Sequence, residues 1–265
     1  MSAASKGSGM LHKYDTPAGV RVFSTTRHGG VSTGNYGTFN VNAYCGDRPE
    51  AIAENRRLLC REIGLDSTDR LIIPHQTHGT AVRQITADFF GLTAEQRQAL
   101  LEGVDAVMTH LPHTCVGVST ADCIPIILYD EPHHAACAVH AGWRGTVGRI
   151  VNAAVSAMAD AYGTRPQQLL TWIGPGISLR NFEVGQEVYD CFRVAGFPME
   201  LISRRYEKWH IDLPLCNRLL LEALGTPAAS ISDAGICTFD HVDDYFSARR
   251  LGISSGRIYT GVTLF

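Results

Sequence analysis

The chain is 265 residues long, 45% hydrophobic and 18% charged, with a formal net charge of −3. This balance excludes a disordered or fibrous protein, and it gives no electrostatic reason to expect nucleic acid or an anionic membrane as partner. The first ten residues, MSAASKGSGM, lack the apolar core of a signal peptide, and no apolar run approaches the roughly 18–20 residues of a membrane span. Cytoplasmic residence is the expectation. Residues 1–10 read as a flexible tail and 11–265 as one domain, because no linker, charge block or repeat divides them.

Val20 to Thr26 is a β-rich run entered through the turn Pro17-Ala18-Gly19, and a Gly-rich loop from His28 to Gly46 follows. Asp47 reads as an N-cap with Pro49 in the first turn; Ile52, Leu58, Leu59 and Ile63 recur at helical spacing, and Gly64 supplies the stop. Leu71 to Ile73 and Ala81 to Ile85 are short strands flanking His75-Gln76-Thr77-His78-Gly79. Thr93 and Gln96 form a capping box that opens a helix reaching Gly103. Then come four short apolar runs, Ala106 to Met108, Cys115 to Ser119, Ile124 to Tyr129 and Ala135 to Val139, which suit strands buried on both faces. After His140 a Gly-rich turn leads into one helix carrying Val147, Ile150, Val151, Ala154 and Met158 on one side. Strands Leu170 to Ile173 and Arg257 to Leu264 and helices Gln186 to Ala195 and Leu213 to Leu224 complete the chain. Strands cluster as well as alternate with helices, so the fold class is α+β.

Eight cysteines are present, but without a secretion signal reduced thiols are expected, and the lack of C-x-x-C argues against a zinc ribbon or a thioredoxin-type pair. Most sit in apolar runs where a small thiol packs well. Cys123 is different. It follows Asp122 at the mouth of one apolar strand, and His140 ends the next. Paired as an antiparallel hairpin, those strands bring a thiol and an imidazole to one sheet edge.

Such a pair has two functional readings: a thiolate nucleophile activated by the imidazole, or metal ligation completed by a third donor. His75 and His78 both qualify as that donor, and local pattern does not choose between them. Imidazole nitrogen and thiolate sulfur suit zinc and copper better than magnesium or calcium, and three protein ligands with an open position mark a catalytic zinc. Taken singly, Cys123 and His140 also fit a core thiol and a strand-end histidine. The Gly142-Trp143-Arg144-Gly145-Thr146 turn adds weight to function, since glycines admit a close ligand, a helix start attracts anions and Arg144 offers a planar donor fork. The plain alternative is a tight turn with Trp143 in the core. Arg27 in Thr25 to Gly30 is a second anion candidate, and Arg249, Arg250 and Arg257 add basic residues whose default is a solvated surface. His133-His134 follows Pro132 at a hairpin tip, where no metal role is expected.

Three of these segments carry a family resemblance. The chain resembles the laccase-domain (YfiH-like) proteins at Gln76 to Gly79, Ala121 to Pro125 and His140 to Gly145, and also at Thr26 to Ser32, Gly174-Pro175, Phe182 to Gly185 and Phe246 to Arg257. The resemblance implies a zinc held by His78, Cys123 and His140, zinc being preferred to copper, and so favours His78 over His75. It implies one α+β domain of packed mixed β-sheets with flanking helices, shared distantly with cysteine hydrolases. Purine nucleosides and phosphate are the implied substrates, through phosphorolysis of adenosine, inosine and methylthioadenosine and deamination of adenosine. The label of multicopper polyphenol oxidase also belongs to the family but fits poorly, because one three-ligand site cannot supply several copper centres.

On this reading Arg27, Arg144 and Arg249 are candidate phosphate binders by charge and loop placement. Asp122 either orients a ligand or relays a proton, or it caps neighbouring backbone. Thr77 stands where valine is common, and Ser178-Leu179-Arg180 replaces a more cysteine-bearing stretch; neither touches the proposed ligands. The alternatives are a metal-free Cys123–His140 hydrolase, a peptidoglycan-precursor editing factor, and a non-catalytic nucleotide-binding module. The sequence ranks no nucleoside and sets no oligomeric state.

Overall fold

Alternate residues of the central strands enter different cores, and this stacks the chain into layers. In the computed structural model, which describes residues 9–265, Ile124, Ile126 and Leu128 of the Ile124–Asp130 strand face one core while Ile127 and Tyr129 face another. In the Ala135–Ala141 strand, Ala135, Cys137, Val139 and Ala141 take the first side, and Ala136 and Ala138 the second. Both strands are central in a six-stranded mixed sheet, ordered Ile231–Asp233, Leu169–Ile173, Ile124–Asp130, Ala135–Ala141, Ala106–Thr109, Val82–Gln84. The outermost pair on each side is parallel and the inner pairs are antiparallel.

A five-stranded sheet, ordered Leu11–Lys13, Val20–Thr25, Ile258–Leu264, Thr114–Thr120, Leu71–Ile72, packs on the first through Val22, Val116, Val118 and Val262. Helix Pro49–Ile63 covers its other face, setting Leu59 and Ile63 against Phe23 and Tyr259. Helices Ile150–Tyr162 and Leu213–Ala223 cover the far face of the six-stranded sheet, joined there by a small antiparallel sheet of Glu183–Val184, Trp209–Ile211 and Ser203–Arg205. The result is the α+β arrangement of packed mixed sheets and flanking helices that the sequence implies. No helix among the described residues is long and apolar enough to cross a membrane.

Most elements fall where expected. Helix Pro49–Ile63 stops on Gly64 in the left-handed region (φ 76), and the Thr93–Gln96 capping box opens Ala94–Leu101. Arg48, not Asp47, is the N-cap; Asp47 accepts instead from the Ser32 hydroxyl (2.6 Å) and the Asn40 amide (3.0 Å), fixing the Gly-rich loop. The single helix expected after the His140 turn is two, Trp143–Val147 and Ile150–Tyr162, broken at Arg149 (φ 61). Of the expected tail, residues 1–8 lie outside the described residues, while Gly9 and Met10 are bound to Thr26, whose hydroxyl donates to Gly9 O at 2.8 Å and whose N–H donates to Met10 O at 2.9 Å.

Candidate metal centre

The Ile124–Asp130 and Ala135–Ala141 strands pair with Ile124 opposite Ala141 and Pro125 opposite His140. Cys123, one residue ahead of its strand, therefore sits beside His140, as the hairpin reading requires. His78 arrives from the loop between Leu71–Ile72 and Val82–Gln84, and its ring centroid lies 4.9 Å from that of His140. The ligand atoms of His78, Cys123 and His140 all lie within 4.8 Å of one another, the one such cluster among the described residues.

Asp105, which sequence reasoning missed, organises this trio. It is fully buried ahead of the Ala106–Thr109 strand. Its carboxylate accepts the backbone N–H groups of Thr77 (3.2 Å), His78 (3.0 Å) and Gly79 (2.7 Å), and it takes His140 Nδ1–H at 2.7 Å. His140 also donates its backbone N–H to Asp105 O at 2.8 Å. His78 has a left-handed backbone (φ 64), a costly conformation for a side chain with a β-carbon, and the bonds to Asp105 hold it there. With Nδ1 committed to the carboxylate, Nε2 is the ring nitrogen of His140 left to face Cys123. Burial alone would raise the Asp105 carboxyl, but the bonds and charge of His140 and the N–H groups of Gly79 and Thr77 hold it below its usual range.

Burial would likewise raise the Cys123 thiol; the charge of His140 and hydrogen bonds from His140 and His78 outweigh it and bring it down to about 6. Burial works to lower His140, but Cys123 and Asp105 overcome it and carry the imidazole up to about 9. Without a metal, the two therefore form a thiolate–imidazolium pair. Gly142 makes room for the cluster: a β-carbon there would lie 2.9 Å from His78 Cδ2 and 3.0 Å from Cys123 Sγ. Gln76 anchors the His78 loop to the five-stranded sheet, its amide donating to Ser119 O (2.8 Å) and accepting from Ser119 N–H (2.7 Å).

A cavity of about 210 Å³ opens onto the trio. His75 is part of its wall and not of the ligand cluster: its ring stacks on Tyr44 at 4.1 Å, and its Nδ1 pairs with Glu102 at 2.8 Å. The arginines expected to bind phosphate are placed elsewhere. Arg27 donates to the carbonyls of Gly37 (2.9 Å) and Val242 (2.7 Å), Arg144 is exposed with its guanidinium over Trp143, and Arg249 donates to Glu183 O at 3.0 Å. None of the three lines the cavity; Arg257 does. Asp122 serves backbone and neighbours. Its carboxylate accepts from the Thr238 hydroxyl and from Arg249 N–H, both at 2.7 Å, whereas Asp105 is the carboxylate bonded to His78 and His140. At the hairpin tip His133 pairs with Asp130 and His134 with Tyr129, each bond under 3 Å, away from the cluster.

A family model described as multi-copper polyphenol oxidoreductase laccase matches residues 21–265. The chain belongs to this laccase-like family. A purine nucleoside phosphorylase of Bacteroides thetaiotaomicron is 46% identical over 248 residues, 92% of each chain. A protein named adenosine deaminase RL5, from an unknown prokaryotic organism, is 41% identical over 247 residues, 92% of this chain and 94% of the relative. Crystal structures of YfiH from Bacillus licheniformis (25% identical) and YlmD from Geobacillus stearothermophilus (28% identical) each superpose with a TM-score of 0.86 over 93% of this chain, covering 93% and 92% of theirs.

Proposed function

We propose that this chain is a zinc-dependent purine nucleoside enzyme that phosphorolyses adenosine, inosine and methylthioadenosine and deaminates adenosine at the His78–Cys123–His140 centre. The observation that carries the reading is two imidazoles and a thiol converging within 4.8 Å beside a cavity of about 210 Å³. Relatives at 46% and 41% identity, named for the one activity and the other, support the substrate class. Two nitrogens and one sulfur are a zinc donor set, and the carboxylate–histidine pairing of Asp105 with His140 is the usual support for such a ligand. The multi-copper description of the family asks for several centres, whereas the described residues offer one cluster.

His78, Cys123 and His140 would hold the ion, which supplies Lewis-acid polarisation at the reacting purine or ribose atom. The chain's own residues prepare the place. Cys123 enters as a thiolate near neutral pH, so ligation displaces little proton from it. Asp105 keeps the His140 proton on Nδ1 and fixes the ring. The Tyr44–His75 stack presents aromatic surface to a purine, with Glu102 setting the orientation of His75.

Protein purified without added metal should contain stoichiometric zinc. It should convert adenosine to adenine and ribose 1-phosphate when phosphate is present, and to inosine when it is not. Full turnover by metal-free protein would sink this reading. It would support a second one, a hydrolase using Cys123 as nucleophile, which the lowered thiol and raised imidazole favour.

A further inference from the structure

One stretch of the cavity wall is a loop whose shape is set by a single buried side chain. Asn40, fully buried, takes the backbone N–H of Asn42 at Oδ1 (3.2 Å) and donates from Nδ2 to Asn42 O (3.2 Å), so one amide holds both polar backbone groups of Asn42. The same Oδ1 accepts Arg257 N–H at 3.1 Å, which ties the loop to the start of the Ile258–Leu264 strand. Asn42 and Tyr44 of this loop line the cavity.

The Asn42 side chain is only half used. Its Oδ1 accepts Tyr44 N–H at 2.7 Å, and because that partner is a donor, the oxygen of the amide must be the atom that meets it. Its Nδ2 makes no hydrogen bond among the described residues, although the residue is only 7% exposed. Nor is that nitrogen sealed from solvent, as the unpaired hydroxyls of Thr171 and Thr263 are; it keeps accessible surface on a residue that lines the cavity. A donor that is nearly buried, held still and unpaired gains its bond only when a ligand brings an acceptor.

With Oδ1 spent, Asn42 can only donate. Phosphate is best met by cations or by several donors together, and a ribose hydroxyl by a partner that also accepts; one neutral donor suits a neutral acceptor. Tyr44, bonded through its N–H to the same amide, stacks on His75 and supplies ring surface for a purine, so face and edge contacts come from one fixed loop. We infer that Asn42 recognises the nucleoside by donating Nδ2–H to a purine ring nitrogen, N3 or N7, beside the His78–Cys123–His140 centre. The inference rests on the purine nucleoside reading above. Both nitrogens are acceptors in 6-amino and 6-oxo purines alike, so a donor aimed at either admits adenosine, inosine and methylthioadenosine without choosing among them.

Inosine without phosphate can be neither phosphorolysed nor deaminated, so its binding to the protein as purified is measurable by calorimetry. Asn42→Asp keeps the shape and the acceptor for Tyr44 N–H but puts an oxygen where the free donor was. Its Kd for inosine should rise about tenfold or more. In wild type, either 7-deazainosine or 3-deazainosine should bind about 3- to 10-fold more weakly than inosine. Wild type and Asn42→Asp should bind that analogue alike, while the other analogue keeps the full difference between them. An unchanged Kd for inosine in Asn42→Asp overturns the inference, and so does a penalty that persists in full with both analogues, which would assign the amide to the ribose. Wild type that binds both analogues as tightly as inosine overturns it too, and that comparison needs no variant to fold. Each of these results leaves zinc-dependent turnover of adenosine standing. The expected pattern of Kd values in protein that turns over no nucleoside leaves Asn42 in its role and removes the proposed reaction.

Discussion

The residues gathered by Asp105 and the outer wall of Tyr44 and His75 border the same cavity and are held in opposite ways. At the first, three backbone N–H groups and an imidazole converge on one buried carboxylate. At the second, two rings stack at 4.1 Å and one carboxylate, that of Glu102, engages the His75 ring. A buried wall saturated with hydrogen bonds fixes geometry before any ligand arrives, while a stacked aromatic wall offers a flat apolar face. The comparison therefore separates residues fixed by buried hydrogen bonds from residues fixed by a stacking contact nearer the surface.

The strongest way to break the comparison is to remove a donor. Cys123→Ala should weaken metal binding beyond about 100-fold and abolish turnover. Retention of stoichiometric metal in the purified variant would contradict the assignment.

Asp105→Asn is next. It keeps the shape but weakens four hydrogen bonds, so metal affinity should fall about 10- to 100-fold and stability by about 2–4 kcal/mol. Competitive chelator titration and denaturant unfolding measure the two effects separately. An unchanged chelator midpoint would leave Asp105 with no role in the centre.

Gly142→Ala sharpens the same wall from the steric side. Its new β-carbon meets His78 and Cys123 at 2.9 and 3.0 Å, an overpacking that should cost about 1–3 kcal/mol, read as a lowered melting temperature together with reduced metal content. Normal content in both measurements would show that the cluster yields easily. The smallest effect belongs to the outer wall. His75→Ala should keep its metal and raise KM for nucleoside roughly 2- to 10-fold through the lost stack on Tyr44. Loss of metal would return His75 to the ligand set.

Much of the scaffold was legible because its signals are local. The apolar runs at 115–119, 124–129 and 135–139 are strands buried on both faces, Gly64 ends its helix with a left-handed cap, and Thr93 closes a capping box three residues on. Pairing of the two central strands brought Cys123 to His140 by topology alone. The break at Arg149 was not legible, because the apolar spacing continues through it.

The site was less open to reading, since its decisive bonds are distant in sequence. Asp105 reads locally as an acid before a strand; its partners lie at 77–79 and 140, and only the folded sheet collects them. Spacing left His75 and His78 tied, and the resemblance chose His78. The structure supplies the physical reason, for Glu102 engages the His75 ring and Asp105 the His78 backbone. Arginine is hardest of all, because a long side chain reaches whatever the fold brings near. Arg27 finds the carbonyl of Val242, which no inspection of the Thr25-to-Gly30 loop reveals.

The hairpin that brings Cys123 to His140 also has a far end. Each of its strands is seven residues long, so the turn at 131–134 lies about 20 Å from the thiol and the imidazole. Glu131, Pro132 and His133 are exposed there. A fluorophore or affinity handle inserted at that turn would ride on the same two strands that bring Cys123 to His140 while staying clear of both. The protein thus offers its own attachment point for following the centre from outside.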